Sequence, residues 1–129
     1  MTAILLDTHA WVWSLSGDDN LSPRARALIT GATSVHVSPI TFFEIGQKVR
    51  LGKWPGMERH VHDLSAILNR QGGSPAPLTP DICLRAATMP WDHRDPFDRI
   101  LAATCELTGL LLISKDPAFA TLPDLPCFW

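Results

Sequence analysis

The feature that most constrains this chain is a short apolar run that ends abruptly in polar residues. Ile4-Leu5-Leu6 leads directly into Asp7, and the apolar residues 110–113 lead into Ser114 and then Asp116. Uninterrupted runs of this length are typical of strands buried on both faces of a parallel sheet. Because the functional crevice of such a sheet lies beyond the carboxyl ends of its strands, we expect both aspartates at one edge.

Helix starts recur along the chain as a capping residue followed by proline. The five pairs are Ser22-Pro23, Ser38-Pro39, Thr79-Pro80, Asp95-Pro96 and Asp116-Pro117. The first four predict helices over residues 24–30, 40–49, 81–89 and 97–107, and the fifth predicts a short helical turn.

Apolar patterning adds the remaining elements. It predicts helices over 9–15 and 59–70, strands at 35–37 and 77–78, and an edge strand within 125–129. Strands therefore alternate with helices along the whole sequence. This order predicts one domain, residues 1–129, with a three-layer α/β/α fold around a central, mostly parallel sheet.

Composition narrows the class of protein. Apolar residues make up 46% of the 129 residues and charged residues 19%, which is a globular composition. No apolar run approaches the roughly 18 residues of a membrane span, and the start does not resemble a signal peptide, so we expect a cytoplasmic protein. The formal net charge of −2 argues against a large nucleic-acid-binding surface, since such surfaces are usually basic. This argument weakens if some of the carboxylates bind a metal ion, because the ion neutralises their charge. Cys83, Cys105 and Cys127 are widely spaced, and we predict reduced core residues.

Four acids are placed to meet at the predicted sheet edge. Asp7 and Asp116 follow strands, whereas Glu44 and Asp98 lie on flanking helices. Each has a structural alternative: Asp7 and Asp116 could cap helices, Glu44 could pair with Lys48 one turn later, and Asp98 could form a capping box.

A shared pocket would explain all four acids together. Crowded carboxylates repel one another unless a cation compensates them, and Mg²⁺ prefers carboxylate oxygens and water. A divalent ion in such a pocket can activate water and stabilise charge on a phosphodiester. The pattern therefore indicates metal-assisted hydrolysis of a phosphate ester.

Two other classes share an aspartate after the first strand. A phosphatase of the haloacid-dehalogenase type needs a second aspartate two residues later, where this chain has His9. A receiver-like signalling module with an acidic pocket could use Lys115, but it would need paired acids near the first strand and would leave Glu44 without a role. Both remain as alternatives.

Four motifs follow one another along the chain: Leu5-Leu6-Asp7-Thr8-His9, Ser38-Pro39-Ile40-Thr41-Phe42-Phe43-Glu44-Ile45, His93-Arg94-Asp95-Pro96-Phe97-Asp98-Arg99-Ile100-Leu101-Ala102-Ala103 and Leu112-Ile113-Ser114-Lys115-Asp116. Together they resemble the motifs of PIN-domain ribonucleases, most closely those of the VapC-type toxins of toxin–antitoxin pairs. The Asp-Pro-Phe-Asp-Arg block is the most specific, and the motifs together span essentially the whole chain.

The resemblance implies an endoribonuclease that depends on Mg²⁺ or Mn²⁺. Its catalytic, metal-binding quartet maps to Asp7, Glu44, Asp98 and Asp116. Asp95 either joins the metal network or only caps its helix. Thr8 and Ser114 are expected to orient the carboxylates through their hydroxyl groups.

The resemblance also implies partners. We expect a VapB-type antitoxin bound near the active site, a homodimer, and an RNA substrate that is single-stranded or looped. Candidate phosphate contacts are Lys48, Arg94, Arg99 and Lys115. Candidates for an exposed apolar surface, each with core packing as its alternative, are Trp11, Trp13, Phe42, Phe43 and Trp54. The histidines show no zinc spacing, and none is assigned a catalytic role.

Overall fold

A five-stranded parallel sheet forms the centre of the computed structural model, which describes residues 2–129. The strands are β1 (Ala3–Leu6), β2 (Ser34–Val37), β3 (Ser74–Pro75), β4 (Leu111–Ile113) and β5 (Cys127–Phe128), in the spatial order β3-β2-β1-β4-β5. The helices are α1 (Thr8–Ser16), α2 (Pro23–Gly31), α3 (Pro39–Arg50), α4 (Leu64–Arg70), α5 (Pro80–Thr88) and α6 (Pro96–Thr108). Two 3-10 segments lie at Pro55–Asp63 and Pro117–Thr121.

Side chains of β1 alternate between two cores, one on each face of the sheet. Ile4 and Leu6 belong to a cluster that includes Trp11 and Ile45, whereas Leu5 belongs to the opposite cluster. Successive residues of a strand point to opposite faces, so a strand that is apolar throughout must be covered on both sides. The three-layer α/β/α fold expected from the sequence is thereby confirmed.

The register between β1 and β4 brings the residues that follow these two strands together. Leu6 of β1 is opposite Ile113 of β4, so the residues that follow both strands emerge at the same edge. From β1 the chain builds the sheet outward through β2 and β3, and it then crosses to the other side of β1 to add β4. This reversal of strand order is where α/β sheets open a crevice for a ligand.

The predicted helix caps are all present. Ser22, Ser38 and Thr79 accept hydrogen bonds from backbone N–H groups in the first turns of α2, α3 and α5. Asp95 does so for α6, and Asp116 for the last 3-10 segment. Each side chain satisfies N–H groups that have no partner inside the helix.

Three predictions about local structure were wrong. The strand predicted at 77–78 lies at Ser74–Pro75, because β2 ends at Val37 and the pairing stops with it. The helix predicted over 59–70 begins as a 3-10 segment at Pro55 and becomes α-helical only at Leu64. Cys83 is exposed, since α5 buries Ile82 and Ala86 instead.

The five aromatic residues considered for an exposed apolar surface differ in how much of each is exposed. Trp11 is completely buried, and the Phe42 ring packs against it with a centroid distance of 5.2 Å. Phe43 is 60% exposed on the outer side of α3. Trp13 and Trp54 are half-buried. Within residues 2–129 no helix combines the length and the apolar character that a membrane crossing requires.

Candidate active site

An open cleft lies at the carboxyl ends of β1 and β4, with a volume of about 430 Å³. All five predicted acids line it: Asp7, Glu44, Asp95, Asp98 and Asp116. Thr8, His9, Trp13, Lys48, Lys115 and Pro117 complete its wall. Side chains from the beginning, middle and end of the chain therefore meet at one place.

Asp7 is both a helix cap and the most buried acid of the cleft. Its Oδ1 accepts a hydrogen bond from the backbone N–H of Ala10 at 2.7 Å, and its Oδ2 accepts one from the Ser114 hydroxyl. Burial raises the pKa of Asp7 to about 6, although the bonds from Ser114 and Ala10 oppose the shift. The negative charges of Asp98 and Glu44 raise it further. A cation in the cleft would stabilise the ionised form of Asp7 and lower its pKa.

Glu44 is held by a hydroxyl and an ammonium group. Thr8 Oγ1 donates to Glu44 Oε1 at 2.6 Å and also contacts the hydroxyl of buried Thr41 at 3.1 Å. Lys48 Nζ binds the other carboxylate oxygen at 2.8 Å. Glu44 therefore forms the predicted pair with Lys48 and also lines the cleft.

Asp98 has a histidine partner that the sequence did not reveal. His93 Nε2 lies 2.7 Å from Asp98 Oδ2. Partial burial, followed by Asp95 and Asp116 among the neighbouring acids, raises the pKa of Asp98, and the bond from His93 opposes the shift. The spacing of His93 from Asp98 was visible, but it indicates contact only once the loop before α6 is folded.

Arg99 holds that loop in place. Its guanidinium donates four hydrogen bonds, to the carbonyl oxygens of Ala86, Met89, Trp91 and His93, at 2.6–2.9 Å. The planar fork of arginine is suited to donating several hydrogen bonds at once. With four of its five N–H groups used in this way, Arg99 supports the position of His93 and is poorly placed to bind a phosphate.

Asp95 and Asp116 each use one oxygen as a cap and remain exposed. Asp95 Oδ1 accepts from the backbone of Phe97 and Asp98, and Asp116 Oδ1 accepts from Ala118. Capping and facing the cleft are compatible, because a carboxylate has a second oxygen and further lone pairs.

Aromatic and basic side chains form another part of the cleft wall. Lys48 Nζ lies 4.7 Å above the Trp54 ring, and Lys115 Nζ lies 5.9 Å from the Trp13 ring. His9 lies between the two tryptophans and is exposed. Partial burial of the ring by its neighbours, and then the charge of Lys48, lowers the pKa of His9. Arg94 is exposed on the loop before α6 and does not line the cleft.

The donor set fits a hard divalent cation. Within residues 2–129, no three His, Cys, Asp or Glu side chains form a ready-made ion cage. Mg²⁺ does not require one, since it keeps several waters and commonly takes only one or two carboxylates. Burial first, and then the charges of neighbouring acids, raise the pKa values of Asp7 and Asp98, and a bound cation would oppose both effects.

Fold and cleft define an α/β protein with an acidic site at the reversal point of a parallel sheet. The model of the PIN domain family matches residues 4–125, and the chain belongs to this family. The chain is also 28% identical over 120 residues to Ribonuclease VapC22 of Mycobacterium tuberculosis, with 90% of this chain and 88% of that protein covered.

Solved structures agree with the fold. A toxin–antitoxin complex from Klebsiella pneumoniae matches with a TM-score of 0.68 at 21% identity, covering 98% of this chain and 96% of that one. VapBC2 from Rickettsia felis, bound to a promoter DNA fragment, matches with a TM-score of 0.70 at 14% identity and covers 99% of both chains. FitAcB from Neisseria gonorrhoeae matches with a TM-score of 0.60 at 23% identity, covering 98% and 96%.

Proposed function

We propose that this protein is an endoribonuclease toxin that hydrolyses RNA phosphodiester bonds with the help of Mg²⁺ or Mn²⁺. The observation that carries the proposal is the meeting of five carboxylates in one cleft at the reversal point of the sheet. Membership of the PIN domain family and similarity to a VapC ribonuclease point to the same activity.

Asp7, Glu44, Asp98 and Asp116 would hold the metal, with Asp95 at the rim of the cleft. The ion, when bound, lowers the pKa of water and balances charge on the phosphate. Ser114 and Thr8 fix the orientations of the Asp7 and Glu44 carboxylates through their hydroxyl groups, and His93 does the same for Asp98. Lys48 and Lys115 bring positive charge to the cleft wall and suit contacts to RNA phosphates.

The proposed partner is a VapB-type antitoxin that restrains the nuclease. Support comes from the solved relatives, which are toxin–antitoxin complexes. We also propose a homodimer, for which the exposed apolar side chains Phe43 and Leu84 are candidate contacts. An RNA substrate and such a partner imply action in the cytoplasm. Light scattering and co-purification with the product of an adjacent small gene test these proposals.

The decisive experiment incubates the purified protein with structured RNAs, with Mg²⁺ or Mn²⁺ or with a chelator. We expect cleavage that needs the metal and that Asp98→Asn abolishes. Asp92→Asn is the matched control, because Asp92 is an exposed acid of the same loop that does not line the cleft. Cleavage that is indifferent to chelator and to Asp98→Asn would refute the metal mechanism.

The phosphatase and receiver-like alternatives are not favoured by the family to which the chain belongs. Both involve a phosphorylated aspartate. Trapping a phosphoryl group on Asp7 would revive them, whereas metal-dependent RNA cleavage that is lost in Asp7→Asn would exclude them.

A further inference from the structure

The basic and aromatic wall of the cleft is not explained by metal binding. His9 and Trp13 both line the cleft, and both lie on α1, which follows Asp7. His9 therefore follows the proposed metal ligand Asp7 by two residues and Trp13 follows it by six, which is less than two turns of helix. Aromatic side chains placed beside lysines are typical of surfaces that bind single-stranded nucleic acid.

The ring of His9 is supported but not covered. Its centroid lies 5.3 Å from the centroids of both Trp13 and Trp54, with interplanar angles of 48° and 75°. Neither tryptophan lies flat on the imidazole, and His9 remains exposed. Such tilted contacts fix the orientation of a ring while leaving part of its face free for another flat group.

Two lysines flank these rings. Lys48 lies on the Trp54 side and Lys115 on the Trp13 side. Their charges suit the phosphates on either side of a nucleotide, and both side chains also line the cleft. The combination of flat rings and lysines favours a nucleotide here, because a base can stack on a ring while its phosphates approach the ammonium groups.

From this arrangement we propose that His9 and Trp13, flanked by Lys48 and Lys115, form a subsite that stacks one unpaired base of the RNA next to the bond that is cut. The proposal rests on the proposed ribonuclease function and extends it to substrate choice. A base can reach the rings only if it is not paired, so the subsite selects single-stranded or looped RNA.

The test measures binding of a fluorescein-labelled single-stranded RNA of mixed sequence to the Asp98→Asn protein, so that cleavage does not interfere. A second RNA has the same backbone with abasic residues. We expect His9→Ala to weaken binding of the normal RNA about tenfold and to leave binding of the abasic RNA unchanged. His9→Phe should restore binding, because it keeps a flat ring. His62→Ala, an exposed histidine outside the cleft, is the matched control.

Several outcomes would overturn the subsite. Equal loss on both RNAs would mean that His9 acts through charge or folding, and no loss on either would mean that it does not contact a base. Retained RNA affinity together with weakened antitoxin binding would make this wall a peptide site. If the unmodified protein cleaves RNA while His9→Ala binds normally, only the subsite fails; if it neither binds nor cleaves RNA, the proposed function fails as well.

Discussion

Ser114 donates a hydrogen bond from its hydroxyl to Asp7 Oδ2, and so joins the ends of β4 and β1 across 107 positions of sequence. The same hydroxyl oxygen accepts a hydrogen bond from the backbone N–H of Asp116 at 3.1 Å. One buried side chain thus connects two of the proposed metal ligands. Its place follows from the parallel register of Leu6 with Ile113.

Replacing Ser114 by alanine should loosen both ligands. We expect Ser114→Ala to lower RNA cleavage at least tenfold and to destabilise the protein by only about 1–2 kcal/mol, the usual cost of one such hydrogen bond. Cleavage rates and urea denaturation check the two effects separately. Ser65→Ala, at an exposed serine on α4, should change neither. A Ser114→Ala protein with full activity would contradict the assigned role.

Asp7 should make stability depend on pH in the metal-free protein. The folded protein holds the proton of Asp7 more tightly than the unfolded chain does, because burial raises this pKa from 3.8 to about 6. The contribution of Asp7 to stability is therefore complete below pH 3.8 and is lost as the pH rises through about 6. Asp7→Asn should be nearly neutral at low pH.

At about pH 7.5 and with a chelator present, Asp7→Asn should stabilise the protein by on the order of 2–3 kcal/mol while abolishing cleavage. Urea denaturation of both proteins across the pH range isolates this effect, since the remaining acids are common to both. Added Mg²⁺ should narrow the difference by favouring the aspartate. A difference that does not vary with pH would contradict the raised pKa.

Lys48 forms an ion pair with Glu44 and should therefore compete with a metal ion for this carboxylate. We expect Lys48→Met to tighten Mn²⁺ binding about two- to fivefold, a modest change because the pair is partly exposed. The same change should weaken RNA binding by removing a phosphate contact. Calorimetric titration measures the affinity for Mn²⁺, and the RNA binding assay measures the affinity for RNA. Arg50→Met, a charge change further along α3 and outside the cleft, provides the control.

Arg99 should matter for stability through its four bonds to carbonyl oxygens. We expect Arg99→Ala to cost about 3 kcal/mol, since several half-buried acceptors lose their partner. Arg99→Lys should restore little, because an ammonium group cannot reproduce the planar fork. In urea denaturation the exposed neighbour Arg94→Ala should stay within about 0.5 kcal/mol of the unmodified protein.

Local features could be predicted well because their causes lie within a few residues. Ser22, Ser38 and Thr79 cap helices through bonds that reach two or three positions along the chain. The strand at Ser74–Pro75 was misplaced because its position depends on where β2 ends, in a different part of the sequence. Asp7, Asp95, Asp98 and Asp116 could be placed at the cleft because they follow strands or begin helices, whereas Glu44 lies in the middle of α3.

The sequence by itself determined the alternation of strands and helices and the set of carboxylates beside them, since apolar patterning and capping act over short distances. Only the tertiary structure decided which distant groups touch. It placed Ser114 against Asp7, His93 against Asp98, and His9 between Trp13 and Trp54. Such contacts depend on strand order, register and the packing of helices on the sheet, and no single stretch of sequence contains that information.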